Sequence, residues 1–260
     1  MVHGKSYIRK LHEGSQHGFC RLCGEEKDLS EDHIPPKCFG NKSPVKIVSE
    51  NGREFTSRNG LKFKTICRDC NSKLGRYDKE LEVIYNKLSV ALNIPSLSSI
   101  IIEVSTHSLI KALIGHLLSL VFYSDDPKNE LKEPLQNHFP IFESLRDYYI
   151  NGKKLKNFDF YYWFYPNNTT KIIQYIYSAK LPNDNSVIAG HILKFHPIAF
   201  FILDKNTSTV VPKANKLDLS LIRNNLVIDM KHYPNINFPE IPHDNFFVLY
   251  NNTKHIIAKK

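Results

Sequence analysis

The segment that decides the fold contains Cys20-Arg21-Leu22-Cys23-Gly24, then Asp32-His33-Ile34-Pro35-Pro36-Lys37, then Cys67-Arg68-Asp69-Cys70-Asn71-Ser72-Lys73-Leu74-Gly75. Its two Cys-x-x-Cys pairs are the strongest pattern in the chain. Four thiolates in two short pairs match a tetrahedral structural zinc site, where each pair forms a tight knuckle and the metal joins distant segments. The sequence therefore predicts one zinc ion bound by Cys20, Cys23, Cys67 and Cys70.

Disulfides in a secreted domain are the alternative for these cysteines. Residues 1–10 contain no apolar stretch that can serve as a signal peptide. We therefore expect a cytoplasmic protein, and in a reducing compartment such spacing favours metal binding. The fifth cysteine, Cys38, has no partner in this scheme, and we expect it to pack as a small hydrophobic residue.

In this order, the three motifs together resemble the HNH endonuclease family in its zinc-binding ββα-metal form. The resemblance covers residues 17–88, about a third of the chain. It implies a nuclease domain over residues 1–92, clamped by the structural zinc ion. By the same resemblance, His33 is the general base, and Asp32 and Asn71 are the ligands of a single catalytic cation.

Phosphodiester hydrolysis explains why these residue types are needed. The reaction requires a base that deprotonates water and a cation that neutralises charge on the phosphorane and on the leaving oxygen. An imidazole with a pKa near ~6.5 is largely neutral at physiological pH, so His33 can accept the proton. The oxygen atoms of Asp32 and Asn71 are hard ligands that suit Mg²⁺ or Mn²⁺.

Several of these residues also have simpler interpretations. His33 can be a plain loop histidine or a further zinc-site residue, and Asn71 can cap the helix that follows. The family's middle Asn, expected to orient the base, falls where this chain has Lys62. Asn59 is then the nearest candidate, although a backbone carbonyl can do the same work. Asp78 lies at a spacing seen in a subset of the family, and its alternative is a solvated helix residue.

Positive charge is concentrated on the part of the chain that carries the motifs. The formal net charge is +9, and residues 1–90 contain 17 Lys and Arg against 12 Asp and Glu. Such an excess fits an anionic partner, and we expect that partner to be DNA. The residues predicted to form the phosphate-facing surface are Lys5, Arg9, Lys10, Lys37, Arg53, Arg58, Lys62, Lys64, Arg68, Lys73 and Arg76.

A helix is expected directly after the second Cys pair. Apolar residues recur there at helical spacing, which predicts an amphipathic helix that packs on the hairpin carrying His33. These residues are Leu74, Tyr77, Leu81, Ile84 and Leu88. Gly75 lies near the first turn, where a small residue permits close approach of a phosphate backbone or of the zinc knuckle.

Residues 93–260 are predicted to form a larger α+β domain with a mainly antiparallel sheet. Ser96–Phe122 is apolar but interrupted by charged and His residues, among them His116, so we expect one or two buried helices and no membrane span. A further helix is expected at Phe139–Ile150. Strands are expected at Phe158–Tyr165, Lys171–Ala179, Ser186–Leu203, Ser208–Val211, Asn225–Met230 and Phe246–Tyr250. The aromatic run Tyr161–Tyr165 predicts a packed sheet face in preference to a base-stacking platform.

Two functions of different classes fit these patterns. The first is a metal-dependent HNH endonuclease that nicks or cuts DNA, with residues 93–260 setting the target, the oligomeric state or a regulatory partner. This architecture resembles effectors of phage defence or of mobile elements. The second is a zinc-stabilised nucleic-acid-binding module without turnover. The pair Asp32 and His33 favours the first, because a module that only binds has no need of a base beside a carboxylate.

Overall fold

The computed structural model describes residues 16–48, 54–120, 140–166, 170–176, 186–233, 246–250 and 254–259. The three helices of this part are α1 (Arg68–Leu92), α2 (Thr106–Ser119) and α3 (Pro140–Asn151). The strands are β1 (His17–Phe19), β2 (Glu26–His33), β3 (Val45–Val48), β4 (Glu54–Ser57), β5 (Lys62–Cys67), β6 (Ser99–Ser105), β7 (Phe158–Phe164), β8 (Thr170–Ile176), β9 (Gly190–Phe195), β10 (Ile198–Asp204), β11 (Asn215–Lys216), β12 (Arg223–Asp229), β13 (Phe246–Tyr250) and β14 (Lys254–Lys259). Nearly all strand pairs are antiparallel, and β8–β13 is the parallel one. The predicted α+β class is confirmed.

A small sheet of order β1-β2-β5 carries the motif residues. In the antiparallel pair β2–β5, Asp32 lies opposite Phe63 and His33 lies opposite Lys62. Helix α1 begins immediately after β5, with Cys67 as its N-cap. The chain therefore runs strand, strand, helix through the segment that contains both Cys pairs.

Helix α1 buries one side against this sheet and against α2. The buried residues are Cys70, Leu74, Leu81, Ile84, Leu88 and Ala91, and Tyr77 is half-buried, so the predicted amphipathic face is confirmed. The two helices approach closely at Gly115 of α2, where an added Cβ would lie 2.5 Å from Leu74 Cδ1. A side chain at position 115 would push the helices apart, so the small residue sets their separation.

The large sheet has the order β11-β7-β10-β9-β8-β13-β14-β3-β4. Its β3–β4 hairpin comes from within residues 1–92 and joins the rest of the sheet through β14. One hydrophobic cluster extends from Cys20 to Ile228 along the chain. The predicted units 1–92 and 93–260 thus share a sheet and a core, and their folding as separate domains stays a prediction.

Three segments differ from expectation. The single run expected at Ser186–Leu203 is two antiparallel strands, β9 and β10, joined at His196 and Pro197. Ser96–Phe122 contains a strand, β6, before helix α2, and the prediction of helix alone was wrong there. Ile102 and Val104 are buried while Ile101 and Glu103 are exposed, a period of two that the overall apolar character of the segment hides.

Ser208–Val211 is not a strand. Asp204 accepts hydrogen bonds from Asn206 N and Thr207 Oγ1, and Ser208 N donates to Asp204 O at 3.0 Å. These bonds keep the chain in a turn after β10.

The aromatic run lies in β7 and is buried on both faces. Phe160, Tyr162 and Phe164 pack in the main cluster, while Tyr161 and Trp163 pack in a second cluster on the opposite face. The packed-face prediction is therefore confirmed. Among the residues described above, no helix is both long enough and apolar enough to cross a membrane.

Candidate functional site

The four predicted zinc ligands converge on one point. The Sγ atoms of Cys20, Cys23, Cys67 and Cys70 all lie within 4.8 Å of one another, and none of these cysteines is in a disulfide. Zinc–sulfur bonds of about 2.3 Å place tetrahedral sulfur atoms roughly 3.8 Å apart. The separation of Cys23 Sγ from Cys67 Sγ, 4.0 Å, is close to that value. The cluster fits a structural zinc ion.

Local backbone bonds shape the first knuckle. Gly24 N donates to Cys20 O at 2.8 Å, and Gly24 has a positive φ of 76°, which glycine adopts without strain. Cys67 N donates to Cys20 Sγ at 3.3 Å, so a backbone amide supports one of the sulfur ligands. Hydrogen bonds with the thiols of Cys20 and Cys70 hold the pKa of Cys23 well below its usual range, and hydrogen bonds within the same cluster raise the pKa of Cys70. Zinc binding requires all four thiols to lose their protons.

Helices outside the motif segment hold this knuckle in place. The buried Arg21 donates from Nη1 to Ser119 O, at the end of α2, at 3.1 Å. Arg146 of α3 donates from Nε to Leu22 O at 2.9 Å and from Nη2 to Cys23 O. Sequence reasoning missed both arginines in this role, because nothing in the chain indicates which carbonyls they reach.

Asp32 and His33 end strand β2 at the mouth of an open cavity of about 880 Å³. Asp32 is buried, and among the described residues its Oδ2 atom has no hydrogen-bond partner. Burial and the nearby carboxylate of Asp78 raise the pKa of Asp32 to about 7, against the opposing effect of His116. A buried carboxylate oxygen without a donor is costly unless the carboxyl group is protonated or a cation binds it, and such an oxygen suits a hard metal ion.

The backbone carbonyl of Asn59 orients His33. Its oxygen lies 2.9 Å from His33 Nε2. A carbonyl only accepts, so Nε2 carries the hydrogen and Nδ1 keeps its lone pair. Burial, together with the charges of Lys37 and Lys62, holds the pKa of His33 below its ordinary value, and the ring is neutral at physiological pH. Asn59 was the predicted orienting residue, and here the contact is made by its main chain.

A buried asparagine that sequence reasoning missed connects the two loops behind His33. Asn41 Nδ2 donates to Pro35 O at 2.7 Å and to Leu61 O at 2.9 Å, while its Oδ1 accepts from Leu61 N. Gly60 has a positive φ of 78° and packs directly on Asn41. This network fixes the position of the Asn59 carbonyl relative to His33.

Asn71 lies in the first turn of α1 and does not cap the helix, since Cys67 occupies the N-cap position. Its Nδ2 donates to Ser30 Oγ at 3.1 Å and to Glu31 O at 2.8 Å. With both donors used on strand β2, the amide oxygen is left for the cavity that Asn71 lines. The side chain is therefore held in one orientation at the wall of the cavity.

One face of α1 forms a wall of the same cavity. The wall consists of Asn71, Gly75, the adjacent Asp78 and Lys79, and Glu82, which recur about once per turn of the helix. Gly75 has no atom within 4 Å of an added Cβ, so neither the zinc knuckle nor any other described residue approaches it. Asp78 Oδ1 lies 2.8 Å from Nε2 of the buried His116, a residue of α2 that the sequence analysis assigned only to a buried helix.

The predicted phosphate-facing residues are dispersed. Lys37 and Lys62 line the cavity, where Lys42 and Lys79 join them although sequence reasoning did not single out either one. Lys62 pairs with Glu31. The predicted residues that do not line the cavity are Arg58, Lys64, Arg68, Lys73 and Arg76. Lys5, Arg9, Lys10 and Arg53 lie outside the described residues.

Cys38 also lines the cavity, half-buried and in contact with the main hydrophobic cluster. Burial raises the pKa of its thiol to about 12, so it stays protonated and unreactive at neutral pH. This agrees with the expected packing role.

No match was found when the chain was compared with models of protein families, with curated proteins and with solved structures. The site must therefore be interpreted from its own geometry and chemistry.

Proposed function

We propose that the protein is a metal-dependent endonuclease of the HNH type that hydrolyses phosphodiester bonds in DNA. One observation carries this proposal. His33, with Nε2 bound to the Asn59 carbonyl, lines an open cavity together with Asp32, whose buried Oδ2 atom has no hydrogen-bond partner among the described residues. A module that only binds nucleic acid has no use for an oriented imidazole next to a buried carboxylate oxygen of this kind.

His33 acts as the general base. Its Nδ1 atom takes a proton from water, the water oxygen attacks phosphorus, and the bond from phosphorus to the leaving oxygen breaks. The Asn59 carbonyl stabilises the imidazolium that forms, because it accepts from Nε2–H in both protonation states. The leaving oxygen receives a proton from solvent.

Asp32 and Asn71 would hold the catalytic cation, Mg²⁺ or Mn²⁺. When bound, that ion neutralises negative charge that develops on the phosphate and on the leaving oxygen. Asp32 contributes a buried carboxylate oxygen, and Asn71 contributes an amide oxygen whose direction is fixed by its bonds to Ser30 and Glu31. Hard oxygen ligands of this kind do not compete for zinc with the four thiols.

The lysines that line the cavity favour the binding of an anionic substrate. Lys37, Lys42 and Lys79 stand at its rim as exposed side chains, and Lys62 lies deeper beside Glu31. Together with the net charge of +9, they favour contact with a phosphate backbone. Such contacts are independent of base sequence.

Plasmid nicking tests the proposal. Purified protein should nick supercoiled plasmid in Mg²⁺ or Mn²⁺, dilute EDTA should stop the reaction quickly while the fold survives, and added Mg²⁺ should restore it. Asp32→Ala should be inactive at any Mg²⁺ concentration. Asn71→Ala should keep partial activity that rises with metal concentration. Full activity in EDTA, or nicking by Asp32→Ala, would contradict the proposed role of the metal.

A further inference from the structure

His116 and Asp78 form a pair at the back of the cavity, although they come from different helices. His116 is fully buried, and its Nε2 lies 2.8 Å from Asp78 Oδ1. The Asp78 side chain is 22% exposed and lines the cavity. The imidazole of α2 therefore reaches the wall of the candidate metal site from outside the ββα segment.

The packing around His116 fixes the position of its ring. Gly115, the preceding residue, allows α2 to approach α1 at Leu74. The His116 ring meets the ring of Phe195 of β9 edge to face, with centroids 6.2 Å apart. Its position is thus set by the core of the protein, and Asp78 is the side chain that receives its hydrogen bond.

Asp78 lies on the same face of α1 as Asn71, and its carboxylate lines the same cavity as the carboxylate of Asp32. Oδ2 of Asp32 is buried and has no hydrogen-bond partner among the described residues. His116 bonds to Oδ1 of Asp78, and the other oxygen of that carboxylate makes no hydrogen bond to a residue that the structure describes. A divalent cation bound in this cavity would offset the negative charge of both carboxylates, and carboxylate oxygens are the ligands that such an ion takes.

We propose that Asp78 is a further ligand of the divalent cation and that His116 is its positioning residue. The inference rests on the proposed metal site and adds that helix α2, beyond residue 92, is a structural part of it. A hydrogen bond from an outer group fixes the direction of a ligating oxygen, and the loss of such a bond typically weakens metal binding by about 10–100-fold.

Mn²⁺ binding to zinc-loaded protein without DNA tests this proposal by calorimetry. His116→Phe keeps an aromatic ring in the core but removes the donor, and we expect about 10–100-fold weaker Mn²⁺ binding. His116→Gln retains an N–H donor and should bind close to wild type. Asp78→Asn should bind as weakly as His116→Phe. His107→Phe, at an exposed position of the same helix, is the control and should not change the affinity.

Unchanged Mn²⁺ affinity in folded His116→Phe, or no Mn²⁺ binding by the wild type, would overturn the proposal. If His116→Phe does not fold, Mn²⁺ binding by Asp78→Asn tests the same proposal, because the Asp78 side chain is partly exposed. The Mn²⁺ binding result tests the ligand role of Asp78 independently of the proposed endonuclease activity. If the proteins bind Mn²⁺ as expected but leave plasmid intact, the endonuclease proposal is refuted and the ligand role of Asp78 stands. If the wild type nicks plasmid but Asp78→Asn binds Mn²⁺ with unaltered affinity, the ligand role is refuted and the endonuclease proposal stands.

Discussion

The backbone oxygen of Asn59 lies 2.9 Å from Nε2 of His33, so the orientation of the candidate base depends on the main chain of a loop and not on a side chain. The loop is held by Asn41, which bonds to Pro35 and Leu61 on either side of the site. Gly60 follows Asn59 at a positive φ and in contact with Asn41. The position of the carbonyl is therefore determined by its neighbours.

Asn59→Ala should consequently have little effect, whereas Gly60→Ala should reduce both stability and cleavage. Asn59→Ala removes only an exposed side chain, so cleavage and stability should stay near wild type. Gly60→Ala forces a side chain into a left-handed conformation against Asn41 and should cost about 1–3 kcal/mol of stability, with loss of cleavage. Thermal unfolding and plasmid nicking check both. A large loss of cleavage in Asn59→Ala would mean that its side chain, and not its carbonyl, orients the base.

Cys67→Ser should unfold the segment around both knuckles. The residue is at once a candidate zinc ligand and the N-cap of α1, and the metal joins segments on either side of a long loop. Metal analysis and circular dichroism provide the measurement. Cys38→Ser is the matched control and should retain one zinc ion per chain. A stable, zinc-free wild-type protein would contradict the structural zinc site.

Asp32→Asn should stabilise the zinc-loaded protein in the absence of Mg²⁺ and Mn²⁺. The wild type buries a carboxylate oxygen without a donor, and replacing it by a neutral amide removes the cost of burying that charge. Thermal unfolding at neutral pH should show a higher midpoint for the variant, and added Mn²⁺ should raise the midpoint of the wild type alone. Equal stabilisation of both proteins by Mn²⁺ would place the cation elsewhere.

Gly75→Ala should make the protein more stable and less active. Glycine inside a helix is less favourable than alanine by about 1 kcal/mol, and here an added Cβ meets nothing within 4 Å. Since Gly75 lines the cavity between Asn71 and Asp78, that space is suited to the substrate backbone. Ser72→Ala, at an exposed position of α1 that does not line the cavity, serves as control. Unchanged cleavage by Gly75→Ala would show that the substrate does not approach this face.

The sequence was most informative where function depends on short spacings. The Cys pairs, the adjacent Asp32 and His33, and the apolar period of α1 are local patterns, and the structure brings the thiols together and buries the predicted helix face. Strand β6 was missed because its alternation is only a few residues long and runs directly into an apolar helix.

The remaining parts of the site depend on contacts between segments far apart in the chain. Arg146 reaches the knuckle carbonyls, and His116 reaches Asp78, only because α2 packs against α1 and α3 packs against α2. A buried His in an apolar helix carries no local signal of its partner. The contribution of residues after 92 to the site could therefore not be predicted from spacing.

If His33 is the general base of a metal-dependent endonuclease, its replacement by alanine should slow the cleavage step itself. Single-turnover cleavage of plasmid in Mg²⁺ should be measured for the wild type, for His33→Ala and for His17→Ala, an exposed histidine of the same small sheet. We expect His33→Ala to be slower by roughly 10²–10⁴-fold with nearly unchanged DNA binding, and His17→Ala to match the wild type. Cleavage by His33→Ala at the wild-type rate would show that His33 is not the general base.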